Sequence, residues 1–286
     1  MSSSRFFKRT YELTITDEAS GWSKTFTDLD IRFNIKRYKT QTAFKAEIGV
    51  LGLSHEDINR ISITATSMWY EALRMRKTVT LSAGYDGNNS LIFKGFIVNA
   101  VPTSPPEMWL NMTAVNYTDI GGHVYQIAMA KGSTLADIAN YVAYRLDMPI
   151  NADMFTQGNV RTNGMTVIGG KTEVLSALKK VYRNWNVYED LGILVVTDQP
   201  LDASKGGNVE FSLKSGLLSL SNVTFYGVDV TTFLQDVPMF TNSFSVKSEM
   251  IPSANGTYKL IGKEFVGHYR GREWFSKFIG KLKESI

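Results

Sequence analysis

The sequence predicts a mainly β protein in which two β-barrel domains flank a small α/β domain. The hydrophobic pattern has a period of two in the first and last parts of the chain and a helical period between about residues 130 and 185. The 23 glycines and 7 prolines among 286 residues suit many tight β-turns. We expect a first barrel over residues 1–117, an α/β domain over 118–200, and a second barrel with the C-terminal tail over 201–286.

The first block predicts about seven strands with short links. In residues 9–16 the side chains of Tyr11, Leu13 and Ile15 share one face, and residues 30–36 alternate in the same way. Further strands are expected at residues 44–50, 78–83, 90–98 and 109–115. Such a set is typical of a barrel or a closed sandwich.

Two local signals refine this block. Residues 86–89 read Asp-Gly-Asn-Asn between two alternating runs, which is a strong hairpin signal. Ser54, with Asp57 three positions on, makes a variant of the capping box and predicts a short helix over residues 55–58 that soon gives way to an extended segment.

The middle of the chain changes to helical periodicity. Ser133 or Thr134 together with Asp137 predicts the start of a helix whose apolar face spans residues 135–146. A second amphipathic helix and a hairpin are expected over residues 172–182 and 186–197.

The last block begins after Pro200 with a linker or long turn over residues 202–208. Short strands between turns that bear Gly or Asn are then expected at residues 216–219, 227–234, 244–248, 254–260 and 267–274. The terminal run from Trp274 through Phe278 to Leu282 has helical spacing. Whether residues 273–286 form a strand or a helix stays open, and we favour packing on the domain or on a neighbour over a membrane-surface helix.

Composition excludes several classes of protein. The chain has no cysteine, which excludes a disulfide scaffold, a Cys-ligated zinc site and a thiol nucleophile. The net charge of +4 is spread as +3, −1 and +2 over the three segments, without the dense basic stripe of a nucleic-acid binder. No window approaches 18 apolar residues and the N-terminus lacks an apolar signal region, so we expect a soluble chain with no stable membrane insertion.

One basic cluster stands out in the first block. It comprises Arg32, Lys36, Arg37 and Lys39. We interpret it as a solvated strand face rather than a track for phosphates.

No segment carries a recognisable catalytic motif. Residues 169–172, Gly-Gly-Lys-Thr, are similar to part of a phosphate-binding loop, but Met165 stands where that motif requires its first glycine. We therefore interpret them as a strand-to-helix turn. His55, His123 and His268 lack a second ligand at metal-binding spacing, so we expect them at the surface or in turns.

Carboxylate pairs and aromatics give no site either. Glu56-Asp57 and Glu189-Asp190 fall at a helix start and in a hairpin turn. Trp69-Tyr70 and Trp109 resemble stacking platforms for sugars or bases, but aromatic residues in strands are more often core or interface. A Gly-x-Ser-x-Gly elbow is also missing. We therefore expect no enzyme and assign no catalytic, cofactor-binding or metal-ligating residue.

Several loose motifs occur in a fixed order along the chain. They are residues 30–36, 46–54, 81–85 and 92–97 in the first block, and 215–217, 227–230 and 255–258 in the last. Their order and spacing, over most of the chain, resemble the baseplate hub proteins of contractile-tailed bacteriophages, a tail hub family related to the barrel domains of type VI secretion spikes.

The resemblance implies a structural part of the virion, assembled in the host cytoplasm. Members of that family look like trimers in which two barrels per chain make a pseudo-sixfold ring. The ring adapts the sixfold tail tube to a threefold spike and leaves a channel for DNA during genome ejection. The implied partners are two further copies, the tail tube protein, a separate spike protein and other baseplate proteins. A separate spike is implied because no spike or lysozyme domain follows the second barrel.

Two alternatives stay open at this point. One is a distal-tail or tail-associated protein of a non-contractile phage, built from similar barrels. The other is a carbohydrate-binding or hydrolytic module with exposed aromatics, which requires a cleft with close carboxylates.

Overall fold

The computed structural model describes residues 8–38, 44–62, 77–116, 124–151, 159–181, 186–197, 209–236 and 243–282. The chain divides into two compact units. We call residues 1–39, 43–117 and 203–286 the sheet unit, and residues 40–42 and 118–202 the α/β unit. The expectations for Lys39, Trp69-Tyr70, His123 and the linker at 202–208 lie outside the described residues.

The first β block contains seven strands in its described part. They are β1 (Arg9–Asp17), β2 (Trp22–Phe26), β3 (Asp30–Tyr38), β4 (Lys45–Leu51), β5 (Lys77–Tyr85), β6 (Asn88–Pro102) and β7 (Trp109–Val115). The predicted strands are confirmed. β2 was not expected from the sequence, because only its two end residues are apolar.

The two local signals in this block are also confirmed. The helix α1 (His55–Ile61) begins after Ser54, whose side chain accepts a hydrogen bond from the backbone N–H of Asp57. A tight turn joins β5 to β6, with positive φ angles of 52° at Asp86 and 82° at Gly87.

The α/β unit holds the two longer helices, as the periodicity predicts. Its elements are β8 (Tyr125–Met129), α2 (Leu135–Arg145), β9 (Ile150–Asn151), β10 (Met165–Gly169), α3 (Lys171–Val181), β11 (Asn186–Asp190) and β12 (Ile193–Thr197). Thr134 and Asp137 form a capping box at the start of α2. β8 and β10 pair antiparallel, and the hairpin β11–β12 takes β9 as a parallel neighbour. A hydrophobic core that includes Ile127, Ile138 and Leu175 fixes the helices on the strands.

The last β block contains six strands in its described part. They are β13 (Val209–Ser212), β14 (Leu217–Thr224), β15 (Gly227–Phe233), β16 (Ser243–Lys247), β17 (Gly256–His268) and β18 (Trp274–Leu282). Residues 269–273, part of an expected strand, form the turn between β17 and β18 instead.

The strand β18 decides between the two structures that the sequence left open for the C-terminal run. Its inward side chains, Trp274, Ser276 and Phe278, are at most 3% exposed. Gly280 is the next inward residue, and the ring of Phe244 lies where a Cβ on it would stand. The inward positions alternate large apolar residues with small ones, so the period of two is not visible in the hydrophobic pattern. The remaining apolar residues happen to have a helical spacing.

Strands of both β blocks join one 13-stranded, mostly antiparallel sheet. Its main path runs β14-β15-β18-β17-β3-β4-β7-β6-β5-β1-β2, and β16 with its parallel neighbour β13 branches from β17. The predicted two-barrel arrangement is not confirmed, and no closed barrel is found in the described part of the chain. The physical reason is that β17 of the last block pairs with β3 of the first block. The two blocks therefore form one continuous sheet and not two separate barrels.

The inner face of this sheet carries the main hydrophobic core, which includes Leu13, Ile35 and Leu110. The sheet curls over that core, since the hydroxyl of Tyr85 at the end of β5 donates to the backbone oxygen of Trp274 in β18 at 3.3 Å. The sheet unit also contains a cluster of aromatic rings in mutual contact, which comprises Phe211, Phe244, Tyr258 and Phe278.

Candidate functional site

The two β blocks meet where β3 and β17 pair, a junction that we call the seam. The pairing runs antiparallel from Arg32 opposite His268 to Tyr38 opposite Gly262. Gly267 permits this close approach, because a Cβ there would overlap the ring of Phe33. Side chains alternate across the two strands, so the seam has an outer face and an inner face with different chemistry.

The outer face of the seam carries side chains of both charges, which we call the charged row. From β15 to β4 it comprises Asp229, Lys277, Glu264, Lys36, Lys45 and Glu47. The distances from lysine Nζ to carboxylate oxygen are 2.9 Å for Lys277 and Asp229, 3.0 Å for Lys36 and Glu264, and 2.7 Å for Lys45 and Glu47. Opposite charges on neighbouring strands stabilise their pairing modestly.

The charged row is electrically balanced, with three lysines and three carboxylates. The carboxylate of Glu264 raises the pKa of Lys36, because it accepts a hydrogen bond from the lysine and carries the opposite charge. Because each of these three lysines has an acidic partner, the charged row itself has no strong attraction for anions.

The inner face of the seam holds buried charges, which we call the buried cluster. It comprises Arg37, Lys263 and Asp236. Lys263 Nζ lies 2.6 Å and Arg37 Nη1 3.7 Å from the carboxylate oxygens of Asp236, and both cationic side chains are 1% exposed. The guanidinium of Arg37 also lies over the ring of Phe44, 5.5 Å from its centre.

The buried cluster corrects the interpretation of the basic residues of β3 as a solvated face. Lys36 and Arg32 do lie on the outer face, but Arg37 points inward, opposite Lys263 of β17. Burial lowers the pKa of Lys263, and the positive charge of Arg37 lowers it further while Asp236 opposes both. The sequence contained one signal, since Lys263 has the inward parity of Phe265 in the same strand.

The two ends of the sheet's main path are open edges, and β13 ends the branch from β17. In the described part of the chain, β2 pairs with β1 alone and β14 pairs with β15 alone. An open edge presents main-chain N–H and C=O groups to a further strand. At the tip of the β14–β15 hairpin, Phe225 and Tyr226 are 84% and 74% exposed. Exposed aromatics beside an open edge are typical of an assembly surface.

The structure places the residues of the phosphate-loop-like segment in an ordinary turn. Residues 169–172 lead from β10 into α3, as the sequence predicts. The Nζ of Lys171 lies 3.0 Å from the carboxylate of Glu189, which is 2% exposed. Burial raises the pKa of Glu189, and Lys171 opposes that rise. Lys171 therefore forms an ion pair with Glu189 inside the α/β unit.

The two histidines in the described part of the chain do not converge on a site. His55 is the exposed first residue of α1, and the Nε2 of His268 lies 3.3 Å from Asp30 in the neighbouring strand β3. Within the described residues no three His, Cys, Asp or Glu side chains are grouped to hold a metal ion.

The carboxylate pairs of the sequence engage basic partners. Glu56 pairs with Arg60 at 3.2 Å, and Asp57 pairs with Lys24 at 2.8 Å. Burial acts to raise the pKa of Asp57, but hydrogen bonds from Lys24 and Ser54 outweigh it, so the net pKa is lowered.

The aromatic candidate Trp109 is covered by its own sheet. The guanidinium of Arg32 lies 4.5 Å from the centre of its ring. This stacking occupies the face that a sugar or a base would need.

None of the helices in the described ranges is both long and apolar enough to cross a bilayer.

Comparison with known proteins gives the following likenesses. The family model described as baseplate hub gp41 matches residues 12–278. No curated protein matches the chain. A tail protein from Neisseria meningitidis MC58 has a TM-score of 0.60 at 11% identity, over 96% of this chain and 97% of that one. The 43 kDa tail protein of prophage MuSo2 from Shewanella oneidensis has a TM-score of 0.56 at 13% identity, over 95% and 97%.

A third likeness is to the E. coli c3393 protein, a component of the type VI secretion system. Its TM-score is 0.59 at 11% identity, over 95% of this chain and 77% of that one. At these identities the solved structures share the fold with this chain.

Proposed function

The chain belongs to the baseplate hub gp41 family, and from that premise we propose that three copies form a ring between tail tube and spike, with a channel for DNA. The resemblance to baseplate hubs found in the sequence motifs is thereby confirmed. As a member of this family the chain is a structural phage tail protein and a component of the virion.

The observation that carries the ring is the single sheet with an open edge at each end of its main path. The two edges, β2 and β14, are different surfaces, so pairing one with the other on the next copy is a head-to-tail contact. Head-to-tail contacts close into a ring when the rotation per copy divides the full circle. Each copy places two β blocks in the ring, so three copies present six similar positions to a sixfold tube.

The charged row supports the assignment of the outer face to the channel. A wall of isolated lysines would hold a polyanion, and a wall of isolated carboxylates would repel it. A row in which each lysine lies within 3.0 Å of a carboxylate does neither strongly. The core covers the inner face, so the outer face is the one available to line a channel.

The remaining parts of the proposal follow from the hub role. Its partners are the tube protein, a separate spike protein and other baseplate proteins of a contractile tail that assembles in the host cytoplasm. We assign it no enzymatic activity, no cofactor and no stable membrane insertion. The side chains of the seam support this, because they are committed to ion pairs and core packing.

The proposal is tested by cysteine pairs in assembled tails, which is practical because the chain has no cysteine. Ser23 and Thr25 of β2 and Ser219 and Ser221 of β14 all lie on the outer face. Paired strands bring the Cα atoms of facing residues to about 5.5 Å, within disulfide reach. We expect at least one combination of Ser23→Cys or Thr25→Cys with Ser219→Cys or Ser221→Cys to yield a covalent trimer on oxidation.

The matched control combines Ser23→Cys with Ser245→Cys on β16, which lies away from both edges. Electron microscopy of the same tails gives the copy number and position. A covalent dimer as the end product, or a copy number other than three between tube and spike, contradicts the ring.

A further inference from the structure

A groove of about 260 Å³ opens on the sheet unit next to the edge strand β14. We call it the aromatic groove, because four of its lining side chains are Tyr85, Phe233, Trp274 and Phe275. It lies within the sheet unit and apart from the charged row and the buried cluster.

The wall of the aromatic groove is held in place by hydrogen bonds. The hydroxyl of Tyr85 donates to the backbone oxygen of Trp274 at 3.3 Å and accepts from the backbone N–H of Leu234 at 3.4 Å. The indole N–H of Trp274 donates to the oxygen of Gly84 at 3.3 Å. Because these groups are fixed before any ligand arrives, binding needs little ordering of the wall.

The charged side chains that line the groove are all basic: Lys8, Arg9 and Arg272. The guanidinium of Arg9 is fixed, since it donates to the backbone oxygens of Gly271 at 2.6 Å and His268 at 3.1 Å. Lys8 and Arg272 are exposed. No described residue of the lining is acidic, in contrast to the balanced charged row.

The strand β14 supplies the last side of the groove. The register of β14 against β15 shifts between Leu217 and Ser219, and the intervening Leu218 lines the groove while 49% exposed. A bulge of this kind re-aims a side chain.

We propose that the aromatic groove binds an acidic peptide segment of a neighbouring tail protein, with an apolar side chain seated against Leu218, Phe233 and Phe275 and carboxylates near Lys8 and Arg272. Charge complementarity selects this occupant, since the exposed Lys8 and Arg272 flank an apolar wall, while Arg9 is already bonded to backbone oxygens and lies over the ring of Trp274. The inference rests on the hub role only for the source of the segment. The binding itself is a property of the purified chain.

The test is a fluorescence anisotropy titration of the full chain with a labelled peptide, Ser-Asp-Leu-Phe-Glu-Leu-Ser. The matched probe is Ser-Lys-Leu-Phe-Lys-Leu-Ser. We expect the acidic peptide to bind at least about tenfold more tightly, and binding to weaken with salt. Arg272→Glu and Leu218→Asp should each weaken it about tenfold, whereas Lys247→Glu, at an exposed site on β16, should leave it unchanged.

Equal affinity for both peptides, or equal loss in the Lys247→Glu control, overturns the proposal. So does binding that appears only in the variant Phe6→Ser, Phe7→Ser, because the chain's own N-terminal segment is then the occupant. Self-association of the chain that Arg272→Glu abolishes identifies a second copy as the occupant and overturns it too. None of these outcomes changes the cysteine trimer test, so a failure here and a failure of the ring are told apart.

Discussion

The two faces of the seam treat charge in opposite ways, although the same two strands supply them. On the outer face Lys36 and Glu264 pair at 3.0 Å with the lysine side chain 54% exposed. On the inner face Lys263 and Arg37 are 1% exposed around Asp236. Water screens the first pair, whereas a buried charge that loses its partner has no water to replace it. Burial, and not the number of ion pairs, therefore decides which face governs the stability of the sheet.

The largest effect should come from Asp236→Asn. The amide keeps the shape of the side chain and removes the negative charge between two buried cations. We expect the free energy of unfolding to fall by about 3–5 kcal/mol, measured by urea unfolding with tryptophan fluorescence.

The control for this variant is Glu249→Gln, at an exposed carboxylate of the same block, which should change stability by less than about 0.5 kcal/mol. The double variant Asp236→Asn, Lys263→Met should recover part of the loss, because one buried cation leaves with the carboxylate. If Asp236→Asn costs no more than Glu249→Gln, the two faces do not differ as described.

A smaller effect should appear in the pH dependence of stability. The pKa of Lys263 is lowered in the folded chain, so the unfolded chain, with an ordinary lysine pKa of about 10.4, binds the proton more tightly. Stability must then rise with pH between the lowered pKa and the ordinary one, and the penalty is complete below that window.

The measurement compares the native chain with Lys263→Met by urea unfolding from pH 7 to pH 10.5. We expect the free energy of unfolding of the native chain to rise relative to that of the variant across the alkaline part of this range. The comparison cancels the titration of the tyrosines, which both chains share. A constant difference at all pH values contradicts the lowered pKa.

The smallest effect should come from Glu264→Gln on the outer face. The lost pair with Lys36 should cost about 0.2–1 kcal/mol at low salt, and less as salt rises, because half of the lysine side chain faces water. Urea unfolding at several salt concentrations measures it. A loss as large as that of Asp236→Asn removes the distinction between the faces.

Alternation along single strands could be predicted from sequence, but the partners of those strands could not. Tyr11, Leu13 and Ile15 revealed β1, and Thr134 with Asp137 revealed the start of α2. These signals are local. The register of β3 against β17 depends on packing between segments that are distant in sequence. The alternation within one strand predicts which face is buried, but it does not predict which strand pairs with it.

The candidate site was predictable only in part for the same reason. Lys36 could be placed on a solvated face, but Arg37 was assigned to that face as well, because its partner Asp236 lies 199 positions away. The sequence leaves the terminal strand open between strand and helix, because Ser276 and Gly280 occupy inward positions that usually hold apolar residues. Small residues against a packed ring carry no hydrophobic signal.

The seam also sets an order of events during synthesis. Asp30 and His268, which pair beside it, are 238 positions apart. At roughly 5–20 residues per second, β3 waits about 12–48 s for its neighbour β17 to be made. Until then the first block has an open edge at β3 as well as at β2, and an inner face without the buried cluster. Strands β17 and β18 connect the part of the sheet that contains β2 to the part that contains β14. A chain that lacks them therefore cannot present both open edges on one sheet to a neighbouring copy.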